Sequence, residues 1–181
     1  LLKRIFDILF SIFLIVLLSP LLLMISLVIK LTSKGPIIFK QRRLGKKGKV
    51  FEIYKFRTMV ENAEDMGNGV YTLKDDPRVT SIGKLLRKTS LDELPQLLNI
   101  LKNEMSFVGP RPTLTYHPYE YQDYSSDQRK RFNVKPEYDV EYVENYSFFY
   151  DMKLILKTIP KVLKMESNYN TEDQLDNEGD N

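Results

Sequence analysis

The chain has 181 residues, enough for one domain with a real core, and carries 27 basic against 24 acidic side chains for a formal net charge of +3. It has no cysteine and one histidine, His117, which excludes disulfide frameworks, thiolate metal sites and His-rich zinc sites. Any catalytic metal must rely on oxygen ligands, in the manner of magnesium, and chemistry must come from carboxylates, hydroxyls, lysines and arginines.

No charged residue occurs from Ile8 to Ile29. As a helix this run is about 33 Å long, just enough to cross a bilayer. It is too long for the apolar region of a signal peptide, and no small-residue cleavage site follows it. Pro20 lies mid-run, where it removes a backbone donor and clashes with the carbonyl four residues back. Ser19 is placed to offer its hydroxyl to a carbonyl freed in this way. Lys3 and Arg4 precede the run, and Lys30, Lys34, Lys40, Arg42, Arg43, Lys46, Lys47 and Lys49 follow it. A spanning helix would place one basic flank outside the cell, whereas a helix broken at Ser19-Pro20 that re-enters its own leaflet keeps both inside. Proline-kinked spanning helices are common, so the residues alone leave both readings open.

Residues 36 to 58 read as a β-hairpin, with branched and aromatic residues on either side of the turn LGKKGK. Its basic tip suits a solvated loop or anionic headgroups. Residues 60 to 81 read as a short helix and a loop, 82 to 88 as a helical turn or two, and 94 to 102 as a short apolar-faced helix. The tyrosine-rich stretch 116 to 132 reads as a loop followed by a helix. Residues 148 to 166 form an amphipathic pattern suited to the core or a membrane interface. From Ser167 there are five acidic residues and no basic one, the composition of a disordered tail.

The stretch RKTSLDELPQLLNILKNEMSFVGPRP, residues 87 to 112, carries the chemistry. Asp92 and Glu93 are adjacent acids at the mouth of a helix. Ser90 with Glu93 fits a capping box, a purely structural reading. Pro95 fits the first helical position, which would leave the acids in the turn before it. Arg87 stands nearby, and Arg111 lies between Pro110 and Pro112 on a stiffened backbone suited to presenting a guanidinium to phosphate.

At these residues the sequence resembles the small monotopic phosphoglycosyl transferases, also called bacterial sugar transferases. The resemblance rests on KRIFDI, Ser19-Pro20, SKGPIIFKQRRLGKKGKVFEIYKFRTM, DDPRVTSIGKLLRKTSLDELPQLLNILK, MSFVGPRP and YVENYSFFYDMKLILKTI. It implies an α+β, mainly helical fold. A re-entrant membrane helix hairpin (residues 1–34), a short β-hairpin and interfacial amphipathic helices would surround a compact cytoplasmic-face catalytic domain (35–166), followed by the acidic tail (167–181). It also implies transfer of a sugar phosphate from a UDP-sugar to polyprenyl (undecaprenyl) phosphate, with release of UMP, at the cytoplasmic face of the bacterial inner membrane. Asp92 would attack the β-phosphate and carry the phosphosugar covalently. Glu93 would complete the acidic pair and assist a Mg2+ site, with Asp92 and Glu93 as metal residues. Arg87, Arg111 and Arg57 would hold phosphate oxygens. Membrane lipids and other glycan-assembly enzymes are the further partners implied. Nucleic acid is not, because the basic residues cluster beside the apolar run.

The sequence departs from the family where Lys135-Pro136 runs directly into Glu137-Tyr138-Asp139-Val140. By the resemblance about twenty residues are absent there. They include an arginine expected near the nucleotide. Two explanations stay open: a chain discontinuous between Pro136 and Asp139, or a true deletion. A true deletion favours a non-catalytic, membrane-anchored binding or scaffolding relative. A single-pass protein with an unrelated cytoplasmic domain is the other rival.

Overall fold

The computed structural model describes residues 1–45, 49–66, 76–110, 112–114 and 141–163. The first element, α1, runs without interruption from Leu2 to Thr32. At 31 residues it is about 46 Å long, and it is the one described helix long and apolar enough to cross a membrane. Pro20 lies within it. Its ring removes the donor that would have bonded Val16 O, and the Ser19 hydroxyl takes that carbonyl instead at 2.8 Å. The helix therefore continues through the proline rather than ending there.

The hairpin expected over 36–58 forms as β1 (Ile38–Leu44) and β2 (Val50–Phe56), antiparallel, with Lys40 opposite Tyr54 and Phe39 opposite Lys55. The short strand β3 (Thr113–Leu114) adds to the other edge of β1, giving the order β2-β1-β3. After β2 a 3₁₀ turn (Ala63–Asp65) is secured by buried Arg78, which bonds the Asp76 carboxylate and the carbonyls of Ala63 and Met66. Helix α2 (Ser81–Lys88) is capped by Thr80, whose hydroxyl accepts from Gly83 N. The helix lies hard against the end of β2. A Cβ on Gly83 would stand 2.0 Å from Thr58 O, so only glycine permits this approach. Helix α3 (Gln96–Leu101) follows, and α4 (Phe148–Leu163) is the last described element. Its expected continuation to 166, the helix within 116–132, the segment 136–139 and the acidic tail lie outside the described residues.

Each end of α1 is fastened to the rest of the chain. At its start, Lys3 Nζ donates to Val108 O at 2.8 Å and pairs with Asp151 of α4 at 2.6 Å. Arg4 places one guanidinium nitrogen on Ile100 O and the other on Leu101 O, two carbonyls at the end of α3, where a positive charge suits the helix dipole. Phe6 and Phe10 pack on Phe107, and Phe6 also meets Phe148. At its far end, Ile25 and Ile29 join Phe56 and Leu86 in the buried core, with Leu91 and Leu94 against them. Arg57 donates to the Ser33 carbonyl and hydroxyl at 2.9 and 2.7 Å. Between these two docking points, Ile12, Phe13, Val16, Leu17, Leu23 and Met24 are exposed.

Candidate active site

The chain leaves α2 through Ser90, which adopts a left-handed conformation (φ 56°) and redirects the backbone into a 3₁₀ turn, Leu91–Glu93. Pro95 then precedes the first residue of α3. The acids thus stand in the turn before the helix, as the proline indicates. The capping-box alternative does not form, because Ser90 makes no side-chain cap and its left-handed backbone turns it away from that role.

Asp92 is buried and Glu93 is half-exposed. Burial holds the Asp92 carboxyl above the usual carboxylate range, and the adjacent Glu93 charge adds to this, while Lys55 and Arg87 pull it back down. Lys55 Nζ lies 2.7 Å from Glu93 Oε1. Arg87 is held by its Nε bond to Thr58 Oγ1 at 2.8 Å. Two cations from different elements, β2 and α2, therefore converge on an acidic pair supplied by a third.

The distance between β2 and the acidic pair is set by Asn99 of α3, which is fully buried. Its Oδ1 accepts from Tyr54 N at 3.0 Å and its Nδ2 donates to Glu52 O and to Glu104 Oε2. These bonds use the main-chain groups that edge strand β2 would otherwise leave unpaired. Leu91 and Leu94, on either side of the acids, pack on the core that holds the second half of α1.

Of the residues expected at the site, the structure brings together Asp92, Glu93 and Arg87. Arg57 is buried and turned toward the end of α1 at Ser33. Arg111 lies outside the described residues, although the neighbouring Pro112 carbonyl accepts from Arg43 at 3.3 Å, which places that segment beside the end of β1. Ser19 and Pro20 sit midway along α1. Lys55 and Thr58 are site residues that the sequence reading missed. A signal for Lys55 exists: it shares strand parity with buried Phe51 and Ile53, and a lysine in a core-facing register calls for a partner.

Magnesium fits this donor set. Asp92 and Glu93 offer hard carboxylate oxygens, and no cluster of three or more metal-ligating side chains occurs among the described residues. A hard cation here would take its other ligands from water and substrate phosphate, as Mg2+ commonly does.

Comparison with known proteins places this geometry in context. A model of the bacterial sugar transferase family matches residues 1–137. The sugar transferase EpsL of Bacillus subtilis is 41% identical over 204 residues, covering 99% of this chain and 98% of that protein. That alignment is longer than the 181 residues of this chain, so it requires gaps here. A UDP-glucose:undecaprenyl-phosphate glucose-1-phosphate transferase of Klebsiella pneumoniae is 38% identical over 92% of this chain, which spans only 41% of that longer protein. A protein of the same name from Caulobacter vibrioides is 36% identical over 92% of this chain and 72% of its own length. With most of its length, and the whole Asp92-Glu93 region, inside the matched span, the chain belongs to the bacterial sugar transferase family.

Proposed function

We propose that this chain transfers a sugar phosphate from a UDP-sugar to undecaprenyl phosphate and releases UMP. The observation that carries the reading is Asp92: a buried carboxylate beside Glu93, with Lys55 and Arg87 close enough to act on its charge. Related proteins are named for this class of transfer. In the first step an Asp92 oxygen bonds to the β-phosphorus as the bond to UMP breaks. In the second, an oxygen of the lipid phosphate attacks the same phosphorus and Asp92 leaves as a carboxylate. Splitting the transfer in this way lowers each barrier. Arg87, fixed by Thr58, and Arg111 hold phosphate oxygens. Asp92 and Glu93 would hold Mg2+, which would supply charge neutralisation for the diphosphate.

The fastening of α1 supports a re-entrant anchor at the cytoplasmic face of the inner membrane. A rod crossing a bilayer separates its ends by roughly 30 Å of hydrocarbon. Here Lys3, Arg4 and Ser33 all bond one domain, and the exposed apolar residues lie between them. The exposed middle of α1 would sit in one leaflet while both of its ends stay at the domain's face of the membrane. Cysteines introduced at Leu2 and at Lys34 are both expected to react with a membrane-impermeant maleimide only after the cytoplasmic face is opened. Labelling of Leu2→Cys from outside would establish a spanning helix.

A second reading, a non-catalytic relative, is favoured by one observation: the family match ends at residue 137, beside the point where the expected loop is missing. A UMP-release screen across UDP-sugars, with undecaprenyl phosphate and magnesium, decides between them. The transferase reading expects release with at least one sugar. No release with any of them, from folded protein, supports the binding or scaffolding role.

A further inference from the structure

The role of Lys55 goes beyond the acidic pair itself. Its backbone is locked in β2 opposite Phe39 of β1, so only the four-carbon stem can move its ammonium group. The ammonium lies 2.7 Å from Glu93 Oε1, with the Lys55 side chain about one-fifth exposed and that of Glu93 over two-fifths exposed. Half-exposed pairs of this kind are weak and readily exchanged. The other cation acting on Asp92, Arg87, is tied to Thr58. Lys55 is a site cation whose partner, Glu93, is also a candidate metal ligand.

Building on the transferase reading, we infer that Lys55 is a resident counter-cation of the acidic pair, occupying the Glu93 oxygen that a divalent ion takes and moving to substrate phosphate when that ion binds. Two adjacent carboxylates, one of them buried, repel each other, and a nearby ammonium offsets that repulsion. A divalent cation must displace the ammonium and tolerate its charge. In the absence of nucleotide this exchange gives the metal little. With a diphosphate present, the metal gains phosphate ligands and the displaced ammonium gains a phosphate oxygen. Metal and nucleotide then favour each other's binding through the movement of a single side chain.

Opposite signs distinguish this from a scaffolding role. Full-length protein in nanodiscs is titrated with Mn2+ by EPR without nucleotide, and with UDP in the presence of magnesium. Lys55→Met is expected to bind Mn2+ roughly five- to tenfold more tightly, because a competing charge is gone, and UDP several-fold more weakly. Lys55→Arg, which keeps the charge, is expected to hold Mn2+ affinity near that of the unmodified protein. In Lys55→Met/Glu93→Gln the gain in Mn2+ affinity should vanish. Unchanged or weaker Mn2+ binding in Lys55→Met, a parallel loss of both affinities, or no Mn2+ binding by either protein overturns the inference. UMP release by the unmodified protein is scored separately. Release without the opposite-sign shift removes only the role of Lys55, whereas absence of release removes the transferase reading.

Discussion

Asp92→Asn is expected to abolish UMP release and, at neutral pH, to raise the melting temperature. Loss of a covalent nucleophile lowers turnover by roughly 10⁴-fold or more. The stability effect follows from burial, which places the Asp92 pKa in the folded protein above that in the unfolded chain. The folded state therefore binds this proton more tightly, and ionisation works against folding as pH rises from the unfolded value through the folded one. Above the folded pKa the whole penalty is present. Below the ordinary carboxylate range both states are protonated and it disappears. Asn mimics the neutral form, so the variant should be the more stable protein at pH 7, with the difference shrinking as pH falls through the raised folded value and gone below about 4. Circular-dichroism melts in detergent at several pH values, beside a UMP assay, measure both effects. A variant that loses activity because it unfolds, or a stability gain that grows on acidification, would be inconsistent with a buried nucleophile. The pairing of lost activity with gained stability is the signature of a site that stores charge at the expense of the fold.

Lys3→Met is expected to detach the start of α1 and to destabilise the protein by roughly 3–5 kcal/mol, the usual cost of removing one partner from a buried ion pair. Asp151 has 2% side-chain exposure and sits among Phe6, Phe107, Phe148 and Ile155. Besides Lys3 it accepts a 2.8 Å bond from Tyr142, whose hydroxyl is pushed above its ordinary pKa by burial and then by this carboxylate. Without the ammonium, the buried carboxylate loses its cation in a cavity that a second buried acid, Asp7, also lines. Lys3→Met/Asp151→Leu should recover most of the loss, because an apolar pair of similar size suits the phenylalanines there. Thermal melts of the two single variants and the double variant complete the cycle. Additive losses would show that the two side chains act independently.

Much of the fold is legible in the residues themselves. The uncharged run from Ile8 to Ile29 requires an apolar environment. The branched and aromatic segments around LGKKGK can pair only with each other at that spacing, and β1 and β2 do so. Pro95 keeps Asp92 and Glu93 out of α3, since proline suits the entrance of a helix. Ser19 beside Pro20 signals how the freed carbonyl is satisfied. These features rest on local backbone chemistry, which is why a single chain read in order suffices. The acidic pair and Arg87 are legible for a related reason: they lie within a few residues of one another.

Contacts between distant segments were decided only by the tertiary structure. Lys3 and Arg4 read in sequence as a basic flank facing the membrane surface. In the folded protein Lys3 neutralises Asp151, 148 residues away, and Arg4 caps the end of α3. Arg57 reads as a phosphate ligand, yet its guanidinium is engaged with Ser33 at the end of α1. Lys55 reads as one more strand lysine until the 3₁₀ turn brings Glu93 against it. For Lys3 and Arg57 the deciding quantity is the burial of a charge. A buried charge takes whichever partner the packing of separate elements brings within reach, and linear spacing carries no record of that choice.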